Sequence, residues 1–324
     1  MFFPRGVADP EGRAGYVGDG RGIVAVDIPQ GHQLWRTERS VHPLISDGTR
    51  LAAASPNRHR ANVLEVVIHD GSRQGDPVLV SDPVVFPEWA TAGPGPRELF
   101  WMRAQLDDNK LRLEWEARAR YGGGAAPSAR ILQEAEHDAT GVVEVDLDTG
   151  SVDRMALDEG AAESVVRRPP LEPADLDEPW LAGTVVTRLV WDAEDGEQTL
   201  SLETIDPSTG SVRAAVDLAR GSGLVAQVTP DGCYLLVHSE IRPSQDDPWS
   251  VFSAQTGERV ATVAHETGAT FPAILRDRVF YLVEQRDAGT ERRTLRAREL
   301  DAGGLLWELP LATEPARPVR RLRQ

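Results

Sequence analysis

Residues 15–38 read GYVGDGRGIVAVDIPQGHQLWRTE, and their punctuation decides the fold class. An apolar run ends in Asp27, three residues follow, Gly31 closes the turn, and Trp35 stands four residues beyond it. Ile23 and Ala25 alternate along the run, as on one face of a strand. Glycine takes positive φ without penalty, so the chain can reverse at Gly31 in few residues. The Asp27 carboxylate can accept the turn's backbone N–H groups and fix the hairpin. A tryptophan on the return strand supplies a large packing surface.

The unit recurs in four further copies. GVVEVDLDTGSVDRMAL carries Asp146 and Gly150, and LSLETIDPSTGSVRAAVDL carries Asp206 and Gly210. WSVFSAQTGERVATVA has Ser253 in the acid's place before Gly257, and LRARELDAGGLLWELPL has Glu299, Gly303 and Trp307. Another strand pair, entered by its own turn, precedes the hairpins in PLISDGTRLAAAS, LVAQVTPDGCYLLVHS and FPAILRDRVFYLVEQ. The period is therefore strand, turn, strand, loop, strand, acid–glycine turn, strand. Four antiparallel strands in roughly 40–50 residues describe one blade of a β-propeller.

The glycine spacing counts the blades. Gly210 to Gly257 is 47 residues and Gly257 to Gly303 is 46. Gly150 to Gly210 is 60, which implies an insertion, and Gly31 to Gly150 is 119, which holds two blades and an insertion. The unmarked blade in that gap is GTRLAAAS, NVLEVVIHD and DPVLVSD. The expected fold is all-β, a single propeller over 1–311 with six four-stranded blades. Seven is the alternative, since a seventh of the chain is also a normal blade length. Insertions are expected at about 104–140 and 158–180. In the first, AQLDDNKLRLEWEARARY reads as a long hairpin, and ILQEAEHD, opened by Pro127 and Ser128, as a short helix. The second is Pro-rich and acidic, and residues 312–324 form a Pro/Arg-rich tail.

At D-x-x-x-G-x-x-x-W the chain resembles the bacterial PQQ-like propeller repeat family, a relative of WD40-like propellers. Ala25, Asp27, Gly31 and Trp35 fit its repeat, as do Ala297, Glu299, Gly303 and Trp307 with Glu for Asp. Asp146–Gly150 and Asp206–Gly210 fit the turn but have Arg154 and Ala214 where the tryptophan belongs. The resemblance implies the propeller fold. It leaves function open, because the family holds quinoprotein dehydrogenases, assembly factors and cofactor-free propellers. No dense Asp, Glu and Asn constellation for Ca²⁺ stands out, and one cysteine cannot make the vicinal pair of some quinoprotein dehydrogenases. No cofactor is expected.

Composition narrows the partners. The chain holds 51 acidic and 35 basic residues, a formal charge of -16, so nucleic acid and anionic membrane are not expected partners. No run of 18 apolar residues marks a membrane helix. MFFPRGVADPEG lacks a signal peptide's basic and apolar regions, which points to the cytoplasm. Of the basic residues only Lys110 is lysine, the bias of a GC-rich bacterial genome. Cys233 follows a turn, opens an apolar run, and reads as a structural thiol.

Chemistry-bearing motifs are sparse. The seven histidines show no HxH or HExxH spacing. Glu134, His137 and Asp138 share a face of the expected helix, where a metal pair competes with an ordinary solvated surface. Asp192, Glu194, Asp195 and Glu197 faintly resemble a Ca²⁺ loop, but the D-G pair between two β-type runs reads better as a hairpin turn. No G-x-S-x-G occurs, and GSGLVA lacks the lysine of a phosphate loop. The residues therefore favour a non-catalytic scaffold or accessory subunit with protein partners, leaving enzymatic activity undecided. In the 104–140 excursion the expected partner-binding residues are Trp115 and the arginine-bearing stretch beyond it, Ala117, Arg118, Ala119 and Arg120. Arg320, Arg321 and Arg323 of the tail are expected to join them. The alternative is an enzyme, or a small-ligand or cation binder, working in the central channel as a quinoprotein does.

Overall fold

The run Ile23–Asp27 is apolar at four consecutive positions, and all four are buried. Such a strand is covered on both faces. Ala25 lies opposite Tyr16 on one neighbour and Trp35 on the other. The small methyl between them lets the two rings approach to 5.7 Å between centroids. The structure is a computed structural model. It describes residues 2–57, 59–60, 62–71, 75–86, 99–107, 109–118, 139–155, 179–194, 197–229, 232–239, 248–263, 269, 272–287, 290–300, 303–311 and 314–315.

The strands form six antiparallel sheets, each built on four strands hydrogen-bonded in chain order, the architecture of a six-bladed β-propeller. The first sheet holds Gly6–Ala8, Ala14–Gly18, Ile23–Asp27 and Gln33–Thr37. The second holds His42–Ser46, Arg50–Pro56, Val63–Asp70 and Pro77–Val80, with Val84–Val85 added beside Val63 and Leu64. The third holds Leu99–Asp107, Lys110–Arg118, Ala139–Asp146 and Val152–Met155. The fourth holds Trp180–Ala182, Val185–Glu194, Glu197–Ile205 and Val212–Gly221. The fifth holds Leu224–Val228, Tyr234–Ser239, Trp249–Ser253 and Arg259–Val263. The sixth holds Ala273–Leu275, Arg278–Asp287, Thr290–Glu299 and Leu305–Pro310, with Glu314–Pro315 beside Thr290 and Glu291. Among the described residues there is no helix.

The chain divides into two units. One contains residues 5–158, with the first three sheets as given above; the other contains residues 2–4 and 159–324, with the last three. In the first unit, Tyr16, Ile23, Trp35 and Leu51 fill the space between the first and second sheets. Val66, Ile68, Leu111, Leu113, Val143 and Val145 fill that between the second and third. In the second unit, Trp180, Leu189, Leu200 and Leu235 join the fourth sheet to the fifth, and Val251, Ile274, Val279 and Tyr281 join the fifth to the sixth. Removing this apolar area from water, at roughly 25 cal/mol per Å², is the main favourable contribution to each stack.

Several sequence expectations find their places. Six sheets are present, and the unmarked blade is the second. Of the excursion expected at 104–140, residues 104–118 belong to the two leading strands of the third sheet, paired from Leu99↔Arg118 to Asp107↔Lys110. The helix expected at 131–138 lies outside the described residues, as do most of 158–180 and most of the tail. Glu194 pairs with Glu197, and the D-G pair between them lies outside the described residues.

Candidate interaction surface and pocket

Antiparallel order gives each sheet two unlike ends. At one end the first strand turns into the second and the third into the fourth. At this end the paired strands are separated by as few as two residues, at 183–184, and by no more than six, at 71–76 and 206–211. Five third-to-fourth-strand turns share one backbone pattern. The acid-position N–H donates to the carbonyl five residues on, and the glycine N–H donates back to the acid-position carbonyl. Asp27 with His32 and Gly31 shows it at 2.9 and 2.7 Å, and Asp206 with Ser211 and Gly210 at 2.8 and 2.8 Å. Asp146, Ser253 and Glu299 repeat it. The five glycines have φ between 65° and 77°, the left-handed region that favours glycine.

The acid side chains stiffen these turns. Asp146 Oδ1 accepts from the N–H groups of Asp148 and Thr149 and from the Thr149 hydroxyl. The bonds from Thr149 hold its carboxyl below the usual carboxylate range. The Ser208 hydroxyl and the Arg213 guanidinium do the same to Asp206, more strongly.

The other end of each sheet carries the second-to-third-strand connection and the exit to the next sheet. Every connection between strands of the six sheets that exceeds six residues leaves from this end: 81–98, 119–138, 156–179, 240–248 and 264–272. Two of these, 119–138 and 156–179, leave the third sheet. Their sequences are polar and of unequal length, while the turns opposite them are held to a common form.

Trp115, expected as a partner contact, is half-buried in the third sheet. It meets Phe86 edge to face at 5.6 Å and stands opposite Gly141, where an added Cβ would lie 2.6 Å from its ring. That packing accounts for an indole at this position. Ala117 is in the same strand, and its backbone pairs with Phe100 and Ala139. Arg118 ends that strand opposite Leu99. Ala119, Arg120, Arg320, Arg321 and Arg323 lie outside the described residues, as do Glu134, His137 and Asp138.

A pocket of about 520 Å³ opens at the tight-turn end of the first unit. Ile68, Leu79 and Leu147 give it apolar walls, and Arg50, Asp70 and Asp148 give it polar ones. Asp47 orders the adjoining turn by accepting from the N–H groups of Thr49 and Arg50 and from Arg50 Nε at 2.9 Å. Burial raises the Asp47 pKa, but those bonds outweigh it and hold the group below its ordinary value. A mixed lining around such a volume suits a small organic ligand.

One buried pair escaped the sequence reading. The Ser40 hydroxyl and His69 Nε2 are 2.7 Å apart, and His69 Nδ1 is 2.7 Å from the Gly75 carbonyl. A carbonyl can only accept, so Nδ1 carries the proton and Nε2 accepts from Ser40. Burial lowers the His69 pKa and keeps the ring neutral. The arrangement has the polarity of a nucleophile–base pair, but Ser40 is 1% exposed and His69 0%, so no substrate can reach the hydroxyl. The pair ties the second sheet to the segment entering it. No local motif signals it, because the partners are 29 residues apart.

Among the described residues, no group of three or more His, Cys, Asp and Glu side chains is placed to hold a metal ion. Nor is any helix there long and apolar enough to cross a membrane. No protein-family model matches the chain, and no curated protein does. Solved structures do. The chain is similar to the apo form of the AtxE2 isopeptidase, at 15% identity over 96% of this chain and 52% of that one, with a TM-score of 0.48. It therefore spans about half the length of that protein. It is also similar to Kuenenia stuttgartiensis hydrazine synthase, at 14% identity over 96% and 86% of the two chains, with a TM-score of 0.31. The Dos1 propeller matches at 9% identity over 94% and 68%, with a TM-score of 0.28. No statement about function follows from likenesses this remote.

Proposed function

We propose that this chain is a non-catalytic propeller scaffold of the PQQ-like kind, an accessory subunit of a bacterial, cytoplasmic multiprotein assembly. The observation that carries this reading is the inequality of the two strand ends. Five of the six sheets close their third and fourth strands with one bonding pattern at one end, while the connections longer than six residues run from the other. Irregular segments on a rigid support are the usual carriers of recognition. The third sheet, which carries the two longest of them, is the first place to look.

The test shortens one connection. Ala117 and Ala139 are opposite one another, so a tight turn can replace 119–138 without disturbing the ladder. The shortened chain should melt where the full chain does and lose a partner that cross-linking and mass spectrometry find on the full chain in its native host. Retention of every partner, or robust turnover in an activity screen, overturns the reading. The pocket favours a second one, a small-ligand binder. Calorimetry with Ca²⁺ and with PQQ probes its quinoprotein version, which absence of heat from both would dismiss.

A further inference from the structure

We infer that the outer strand of the fourth sheet, Val212–Gly221, is a self-pairing edge that joins two copies of this chain antiparallel about Ala215. An outer strand leaves alternate N–H and C=O groups without a ladder partner, and proteins ordinarily keep such edges short or blunt them with proline. Five of the six sheets do so. Their outer strands are Gln33–Thr37, Pro77–Val80, Val152–Met155, Arg259–Val263 and Leu305–Pro310, four to six residues each. Pro77 opens one of these and Pro310 closes another.

Val212–Gly221 is ten residues long and contains no proline. Among the described residues its only ladder partner is Glu197–Ile205. Residues 212–217 are exposed without interruption, including Val212 at 44% and Val216 at 39%. Exposed apolar side chains on a long edge without proline are features that strand addition uses, and register shifts against Glu197–Ile205 leave 214–217 as the regular stretch of this one.

The sequence of the edge names the occupant. Around Ala215 it reads Arg213, Ala214, Ala215, Val216, Asp217. Laid antiparallel on a second copy with Ala215 facing Ala215, Arg213 meets Asp217 and Asp217 meets Arg213. Ala214 meets Val216. A two-fold axis makes each contact occur twice, the isologous pattern of closed dimers. Opposite charges directly across a pair of strands stabilise it, and like charges destabilise it.

Both charged groups keep capacity for a second partner. Arg213 gives Nε and Nη2 to Asp206 Oδ2, at 3.1 and 2.6 Å. Asp217 Oδ1 accepts from the Ser201 hydroxyl at 2.7 Å. Nη1 of Arg213 and Oδ2 of Asp217 remain for the other copy.

Sedimentation velocity on the full chain tests this. The expected species has twice the mass of the 35.4 kDa chain. Arg213→Asp alone places two Asp–Asp contacts across the axis, and Asp217→Arg alone places two Arg–Arg contacts. Each should weaken the dimer more than about tenfold. An equimolar mixture of the two single variants restores both opposite-charge contacts, so it should form a dimer containing one of each. The double variant should pair with itself. Hydrogen exchange on the unmodified chain gives a check free of substitutions, with protection that rises with concentration only within 212–221. A chain that stays monomeric, single variants that dimerise like the parent, a mixture that stays monomeric, or exchange independent of concentration each overturns the inference. Binding of a foreign peptide strand by a monomeric chain would assign the edge to another protein and overturn it equally.

Discussion

Gly75→Ala and Gly210→Ala place the same methyl group on nearly the same backbone, at φ 73° and 70°. Both variants force an L-residue into the left-handed region, which costs roughly 1–2 kcal/mol. Their surroundings differ. A Cβ on Gly210 meets nothing within 4 Å, whereas one on Gly75 lies 2.6 Å from the Trp35 ring and 3.3 Å from Thr37. The indole cannot yield cheaply, because its Nε1 donates to the Gly71 carbonyl and Tyr16 packs 5.7 Å away. Overpacking of this kind adds typically 1–3 kcal/mol. Gly75→Ala should therefore lose about 2–5 kcal/mol and Gly210→Ala about 1–2. Urea unfolding followed by tryptophan fluorescence measures both, and near-ultraviolet circular dichroism should change only for Gly75→Ala. Losses equal to within about 0.5 kcal/mol would show that the backbone alone sets the cost and would refute the close packing between Gly75 and Trp35.

Other expectations follow from the same contacts. His69 is buried and its folded pKa lies below the ordinary value of 6.5. Between the folded and unfolded values the unfolded chain binds more protons, so this stability is present above about pH 6.5 and declines as the pH falls below it. His69→Asn should flatten part of the slope between about pH 7 and 5 in urea titrations. Ser253 holds its turn through two 3.3 Å bonds from Gln255 and Thr256, and Ser253→Asp should convert them to charge-assisted bonds and stabilise the protein by about 0.5–1 kcal/mol in thermal melts. Trp115→Ala should cost about 3 kcal/mol in denaturant unfolding, since it empties a site packed on Phe86. Trp180→Phe should cost about 1–3 kcal/mol, because the Gly232 carbonyl loses its buried indole donor.

The spaced acids and glycines made the fold legible because they report backbone demands. Gly31, Gly150, Gly210, Gly257 and Gly303 all adopt the positive φ that their spacing implies. The second blade lacks the signature because its turn is one residue longer, from Asp70 to Gly75, yet Gly75 still has positive φ. Residues 104–118 read as an excursion because the acid–glycine turn marks only the last two strands of a blade, and the first two have no fixed punctuation. The alternation of Trp115 with charged residues in RLEWEARAR implies one apolar and one charged strand face, and the packing of the indole on Phe86 is a contact no sequence spacing announces. The Ser40–His69 pair and the pocket were illegible for another reason. Each is assembled from segments of different strands, and their proximity exists only after the sheets stack.

The contrast between the two strand ends has a practical corollary. A gap that already spans anywhere from two residues at 195–196 to two dozen at 156–179 has little stake in its own length. Closing a loop costs only about 0.6 kcal/mol more for each doubling. Transplanting a foreign epitope or a whole small domain within 119–138 should thus leave the host's melting behaviour nearly untouched, whereas the same graft at 183–184 would have to part the Ala182↔Val185 pair. Each sheet is in effect a display chassis with a permissive end and a forbidden one.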